Sequence, residues 1–321
     1  MTGIRTVVDR METHQVALYL AGLALGAALG LTVPTVAGPA GVLVEPVLAV
    51  LLYATFLGIP FARMGEALRD VRFLGTALAV NFVAVPLVVL LVSRIVAHDR
   101  VLLVGVLFVL LTPCVDYVIV FSGLAGGATD RLLAAAPLLM LAQMVLLPAY
   151  LWLFVGADVV RTLEVAPFVR AFVVIIAVPL VLAGATQWAA ERARWGAVLS
   201  AAVSGAMVPV MVLTLAVVVA SQIAGVRPEL SSLLLTVPVY VLFAAVMTPI
   251  GAAAGRVAGL DVPGRRSVVF SGVTRNSLVI LPLVLALPVA YGLAPLVVVT
   301  QTLVELVVMV VFVRLIPRVI R

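Results

Sequence analysis

The sequence predicts an all-α polytopic membrane protein: ten transmembrane helices forming two inverted five-helix repeats, with helices 4 and 9 broken and crossing. Three observations lead there. Of the 321 residues, 65% are hydrophobic and only 11% are charged, less than half the charged share of a soluble domain, which is roughly a quarter. Apolar runs of about twenty residues, the length of a membrane-spanning helix, recur along the whole chain. All twenty basic residues are arginine, and they gather in alternate connections between those runs.

The runs lie at 16–36, 41–61, 73–95, 101–125, 132–155, 165–187, 195–221, 231–254, 266–289 and 293–316. Bare backbone amides are too costly in lipid for runs of this length to be anything but helices, and none alternates with the period of two that a barrel requires. Ahead of the first run come Arg5, Arg10, Asp9 and Glu12, with no small-residue cleavage site after it, so we expect that run to be a retained span. Fourteen arginines fall in connections on the N-terminal side of the bilayer. Five, Arg94, Arg100, Arg161, Arg170 and Arg227, fall on the other, and Arg275 lies within the ninth run. Arginine accumulates on the cytoplasmic side, which predicts both termini inside the cell and a multi-pass protein of a bacterial inner membrane. Spans of this number leave no room for an extramembrane domain, so the whole of 1–321 is one transmembrane domain.

The polar connection 158–164 divides the runs five and five, giving repeats over about 14–157 and 164–321. An odd number per half inserts the second half upside down, the plan of many secondary transporters. Each half has a fourth run interrupted by polar and helix-breaking residues. In the first the interruption is Thr112-Pro113-Cys114-Val115-Asp116, and in the second it is Ser271-Gly272-Val273-Thr274-Arg275-Asn276-Ser277. Paired interruptions at matching positions point to a midplane binding site.

Charged residues inside runs are few: Asp116, Arg275 and Glu305, with Glu45 near the end of the second. Such groups are costly in lipid and face a cavity or a partner. Arg275 either compensates a carboxylate where the broken helices meet or snorkels to an interface. Cys114 is the single cysteine, which excludes an internal disulfide and a multi-cysteine metal cluster. We expect Thr112 to cap a half-helix, Pro113 to take its first position and Cys114 its second, where free amides favour a thiolate. The alternative is a small apolar filler. Glu305, with Thr302 nearly on the same face, suits a group that takes up and releases a proton, or else an ion pair with Arg275. Asn81, Gln143 and Asn276 add neutral polarity of the kind that joins helices, and Asn276 stands out because it lies in the second break. Residues 123–127 are glycine-rich but precede no lysine, so they are no nucleotide loop, and His14 and His98 have no ligand-spaced partner. Nothing calls for a cofactor, a metal, nucleic acid or an obligate protein partner.

At the two interruptions the sequence resembles the bile acid/sodium symporter superfamily and, within it, the arsenite-efflux permeases of arsenical-resistance systems. The resemblance covers nearly the whole chain and implies ten spans with broken fourth and ninth helices crossing at the membrane centre. It also implies functional roles for a cysteine in the fourth span and a glutamate in the last, matched here by Cys114 and Glu305. Those permeases carry a basic residue before the cysteine, where this chain has Pro113. In the sodium-coupled branch a glutamate and a glutamine flank the ninth-span break. Here Ser271 and Arg275 take those places, and a fixed cation there repels sodium.

The resulting expectation is a secondary transporter, not an enzyme, that exports arsenite or a related trivalent metalloid in exchange for protons. Cys114 and Glu305 bind substrate, and Asp116, Arg275, Asn276, Thr112 and Thr302 line or couple the cavity. The rival is a sodium- or proton-coupled transporter of a small organic anion, with Arg275 clamping a carboxylate. A membrane sensor or channel without alternating access is the reading from another class.

Overall fold

Helices account for nearly all of the residues that the computed structural model describes, namely 10–11, 13–58, 69–115, 117–156, 170, 172–226 and 229–321. In chain order they are α1 (Gln15–Thr32), α2 (Ala37–Gly58), α3 (Val71–Val96), α4 (Arg100–Leu110), α5 (Tyr117–Leu124), α6 (Thr129–Val155), α7 (Val178–Ala190), α8 (Arg194–Gly205), α9 (Met207–Val226), α10 (Leu230–Val257), α11 (Val262–Val273), α12 (Ser277–Leu285) and α13 (Ala294–Val319). Among the described residues no strand forms, and five helices, α2, α3, α6, α10 and α13, are long and apolar enough to cross a membrane. The run expected as one span at 195–221 is instead bent by 49° between α8 and α9. The first, fourth and sixth expected spans contain shorter apolar helices, and the ninth contains α11 and α12.

The chain divides into two compact units. One comprises 1–58 and 166–229, the other 59–165 and 230–321. In the first unit, α1 lies against α9 through Gly22, Gly26 and Gly30, one glycine every fourth residue. A Cβ on Gly26 would stand 2.9 Å from Ala216 Cα, and one on Gly22 2.9 Å from the Val212 carbonyl oxygen. In lipid the hydrophobic effect does not drive helices together, so close backbone approach over small residues supplies the attraction.

The second unit holds both broken runs. Three of its helices, α3, α4 and α11, start on aspartate caps: Asp70 accepts from Phe73 N–H, Asp99 from Val101 and Leu102 N–H, and Asp261 from Gly264 N–H. Arg131, in the first turn of α6, bridges two of these caps, at 3.3 Å from Asp70 and 2.6 Å from Asp261. Within α3, Val80–Ala84 widens to a π-turn just ahead of Pro86. Proline has no N–H to give the carbonyl four residues back, which is that of Phe82. The Tyr150 hydroxyl of α6 donates to it instead. The π-turn also carries Asn81, fully buried, toward α11.

Candidate functional site

Both breaks end in the same way. Thr112 Oγ1 donates to Phe108 O and Thr274 Oγ1 to Phe270 O, each at 2.7 Å, so a threonine hydroxyl bonds back to the carbonyl four residues earlier as its helix stops. Beyond the threonines the segments pair antiparallel around Pro113 and Arg275. Cys114 N–H donates to Thr274 O at 3.3 Å and Asn276 N–H to Thr112 O at 2.8 Å. Each break thus satisfies backbone groups that the other would otherwise leave bare in a buried place.

This pairing has a sidedness. Pro113 and Arg275 form the pair that exchanges no hydrogen bonds directly, so their own peptide groups point away from the partner segment. Proline loses nothing there. Arg275 keeps an N–H that points outward, and it donates to Glu305 Oε2 of α13 at 2.8 Å. Gln301, one turn earlier on α13, donates to the same oxygen through Nε2. Both α13 side chains are buried. The carboxylate of Glu305 is therefore fastened to the crossing by the one backbone donor that proline cannot offer.

The Arg275 side chain is 0% exposed. Its guanidinium donates to Asn81 Oδ1 at 2.8 Å, Ser271 O at 2.6 Å and Leu110 O at 3.3 Å, and lies 5.4 Å from the Phe243 ring centroid. Leu110 ends α4 and Ser271 lies in the last turn of α11, so the cation rests on the negative ends of two half-helix dipoles. Asn81, expected only as interhelical glue, is a direct partner of Arg275 and donates in turn to Ser271 Oγ at 2.9 Å. On the far side Asn276 accepts from Val279 N–H and caps α12, while Thr302 Oγ1 of α13 donates to Ser277 Oγ at 2.8 Å. Asn276 Nδ2 is buried with no hydrogen-bond partner among the described residues.

Two local expectations are corrected. Thr112, Pro113 and Cys114 do not open a half-helix: α5 begins at Tyr117, Thr112 bonds back into α4, and the Cys114 amide is used across the crossing. The second break is also shorter than the polar segment, because α11 continues through Val273 and leaves only 274–276 outside a helix. Thr112, Cys114, Arg275, Asn276, Thr302 and Glu305 all belong to this one unit, and all are buried. Asp116 lies outside the described residues. Glu45 is exposed on α2 of the other unit. Gln143 is buried on α6 and its Oε1 has no partner among the described residues.

Gln301 and Ser277 take part without having been singled out, and Ser271, expected where sodium-coupled relatives carry a glutamate, serves through its carbonyl as an acceptor for Arg275. Gln301 could have been found, since it stands four residues before Glu305 and shares its helix face. Next to Glu305 and Gln301 is a cavity of about 10 Å³, otherwise lined by Tyr240, Phe243 and aliphatic side chains. Tyr240 turns its hydroxyl hydrogen to Val297 O at 3.0 Å.

Comparison with curated proteins gave no match. Comparison with protein families matched residues 45–229, more than half of the chain, to the Sodium Bile acid symporter family. The match includes the first break and ends before the second. A match of this extent, on a chain with apolar helices of membrane-spanning length, shows that the chain belongs to the sodium bile acid symporter family.

Proposed function

We propose that the protein is a secondary transporter of ten spans in two inverted repeats, resident in a bacterial inner membrane with both termini cytoplasmic, that exports arsenite or a related trivalent metalloid in exchange for protons. One observation supports this reading: the residue that bears the single thiol and the buried carboxylate are held by adjacent residues of the same crossing. Cys114 is hydrogen-bonded through its amide to Thr274, and Glu305 to the amide of Arg275. A soft thiolate suits a trivalent metalloid. A carboxylate held at the same crossing can exchange a proton as the ligand comes and goes. In this scheme Cys114 and Glu305 bind substrate, Thr112, Asn276 and Thr302 complete the polar lining, and Asp116 contributes charge.

Arg275 acts as a resident cation. In transporters with broken helices the C-terminal ends of half-helices coordinate a coupling ion. Here those ends, Leu110 O and Ser271 O, receive the guanidinium. The same bonds count against its clamping a substrate carboxylate, because Asn81 and two carbonyls already engage it. The second reading, coupled transport of a small organic anion, draws support from the family match. Arsenite uptake into everted vesicles under an imposed proton gradient, with labelled organic acids as competitors, separates the two. Arsenite accumulation without competition is expected, and accumulation of an organic acid in its place selects the second reading.

A further inference from the structure

Gln301 and Glu305 present a hydrogen-bonded pair in which the acceptor end of the glutamine amide is unmatched among the described residues. Glu305 Oε2 accepts from Arg275 N–H and from Gln301 Nε2, whereas Gln301 Oε1 is buried with no hydrogen-bond partner among the described residues. Leaving a buried acceptor without a donor is destabilising, and such atoms in folded proteins call for a specific explanation. Both side chains line the cavity of about 10 Å³ whose other walls are Leu110, Tyr240, Phe243 and aliphatic groups. That volume is near the minimum for one water and far below what a transported solute needs.

We propose that Gln301 is a two-position switch for the protonation of Glu305, and that the cavity holds the water which delivers the proton. This rests on Glu305 being the proton carrier. With the carboxylate ionised, the amide donates through Nε2. A protonated water in the cavity then gives up one O–H bond, a new O–H forms on a Glu305 oxygen, and the carboxylate loses its negative charge. The amide turns over, and Oε1 accepts from the new O–H. An amide suits this task because its two ends have nearly the same shape and opposite hydrogen-bonding sense. Its terminal torsion is broad, and the four-residue spacing on α13 keeps the two heads adjacent in both positions. Among the described residues, the groups able to carry charge that the contacts place beside Glu305 are Arg275, whose amide holds its carboxylate, and Tyr240 of α10, which lines the same cavity; the arginines at the ends of α4, α10, α11 and α13 do not line it, and Asp116 lies outside the described residues. Arg275 stays charged at all working pH values and so fixes the field in which the switch operates.

Infrared pH-difference spectra of the purified protein, grown with side-chain carbonyl-labelled glutamine, test the switch without any substrate. The expected result is a carboxyl band that titrates, is absent in Glu305→Gln, and is accompanied by a glutamine amide band that disappears in the same variant. In Gln301→Met and Gln301→Asn the amide band is lost and the midpoint of the carboxyl band is displaced by about one pH unit, the size of one hydrogen bond to a charged group. A Glu305 band that titrates in the wild type with no accompanying glutamine change overturns the switch, whatever the variants do. If no Glu305 band titrates at all, the proton-carrier assignment falls and the switch with it. Gradient-driven transport of an organic acid in place of arsenite by the wild type, with the Glu305 and glutamine bands still changing together, marks failure of the proposed substrate alone and leaves the switch standing, whereas gradient-driven transport in Glu305→Gln overturns both.

Discussion

Replacing sodium with choline should leave transport unchanged, and sodium should not stabilise the purified protein. The reason lies in the oxygens around Arg275. Asn81 Oδ1 and Ser271 O, which lie 2.8 and 2.6 Å from the guanidinium Nη2, are the acceptors a monovalent cation would need at this crossing. A sodium ion sharing them would come to within about 4 Å of a group that keeps its proton at every accessible pH. At that separation and an effective dielectric near 20, two like charges repel by about 4 kcal/mol, roughly a thousandfold in affinity. A relative that binds sodium in the millimolar range would thus correspond here to molar binding. Thermal unfolding of the purified protein reads this directly, because a ligand at a hundred times its dissociation constant stabilises by about 2.7 kcal/mol. We expect equal melting temperatures in sodium and choline chloride at matched ionic strength, and equal transport rates in proteoliposomes at fixed pH. A saturable rise in melting temperature with sodium, together with sodium-stimulated transport that ignores an imposed proton gradient, would refute both the electrostatic argument and the metalloid reading.

Cys114→Ser should abolish metalloid transport while leaving folded protein in the membrane, since a hydroxyl is a hard and weak ligand for a soft metalloid. Undiminished arsenite resistance in cells carrying it would make Cys114 a packing residue. Glu305→Gln keeps the shape and a hydrogen-bonding oxygen, so substrate binding by calorimetry should persist while gradient-driven uptake falls to background. Arg275→Met leaves Asn81 Oδ1, Leu110 O and Ser271 O to find other donors. At about 1–3 kcal/mol for each buried group left unsatisfied, we expect a loss of several kcal/mol, read as a lower melting temperature, and a variant as stable as the wild type would contradict the network. Gly26→Leu should weaken the α1 and α9 contact, because even a Cβ meets Ala216 backbone atoms. Normal yield and melting temperature in that variant would show that the close approach is dispensable.

Membrane residence, helical class and the place of the two breaks were all legible in the sequence. Each depends on composition over a window, and lipid admits so few backbone solutions that composition suffices. The glycines at 22, 26 and 30 take their meaning from the fold, which sets the backbone of α9 against them. Position in the chain could also nominate Cys114, Arg275 and Glu305, because charge and a lone thiol stand out against apolar neighbours. Which atoms meet was beyond it. The capping expected of Thr112 treated the first break as a local event, whereas the second break, some 160 residues away, supplies its hydrogen bonds. That antiparallel pairing turns Arg275 N–H outward to Glu305, and the π-turn ahead of Pro86 brings Asn81 to the guanidinium. Local propensity cannot encode such choices, since they follow from which unsatisfied backbone groups two distant segments present to each other once both are buried.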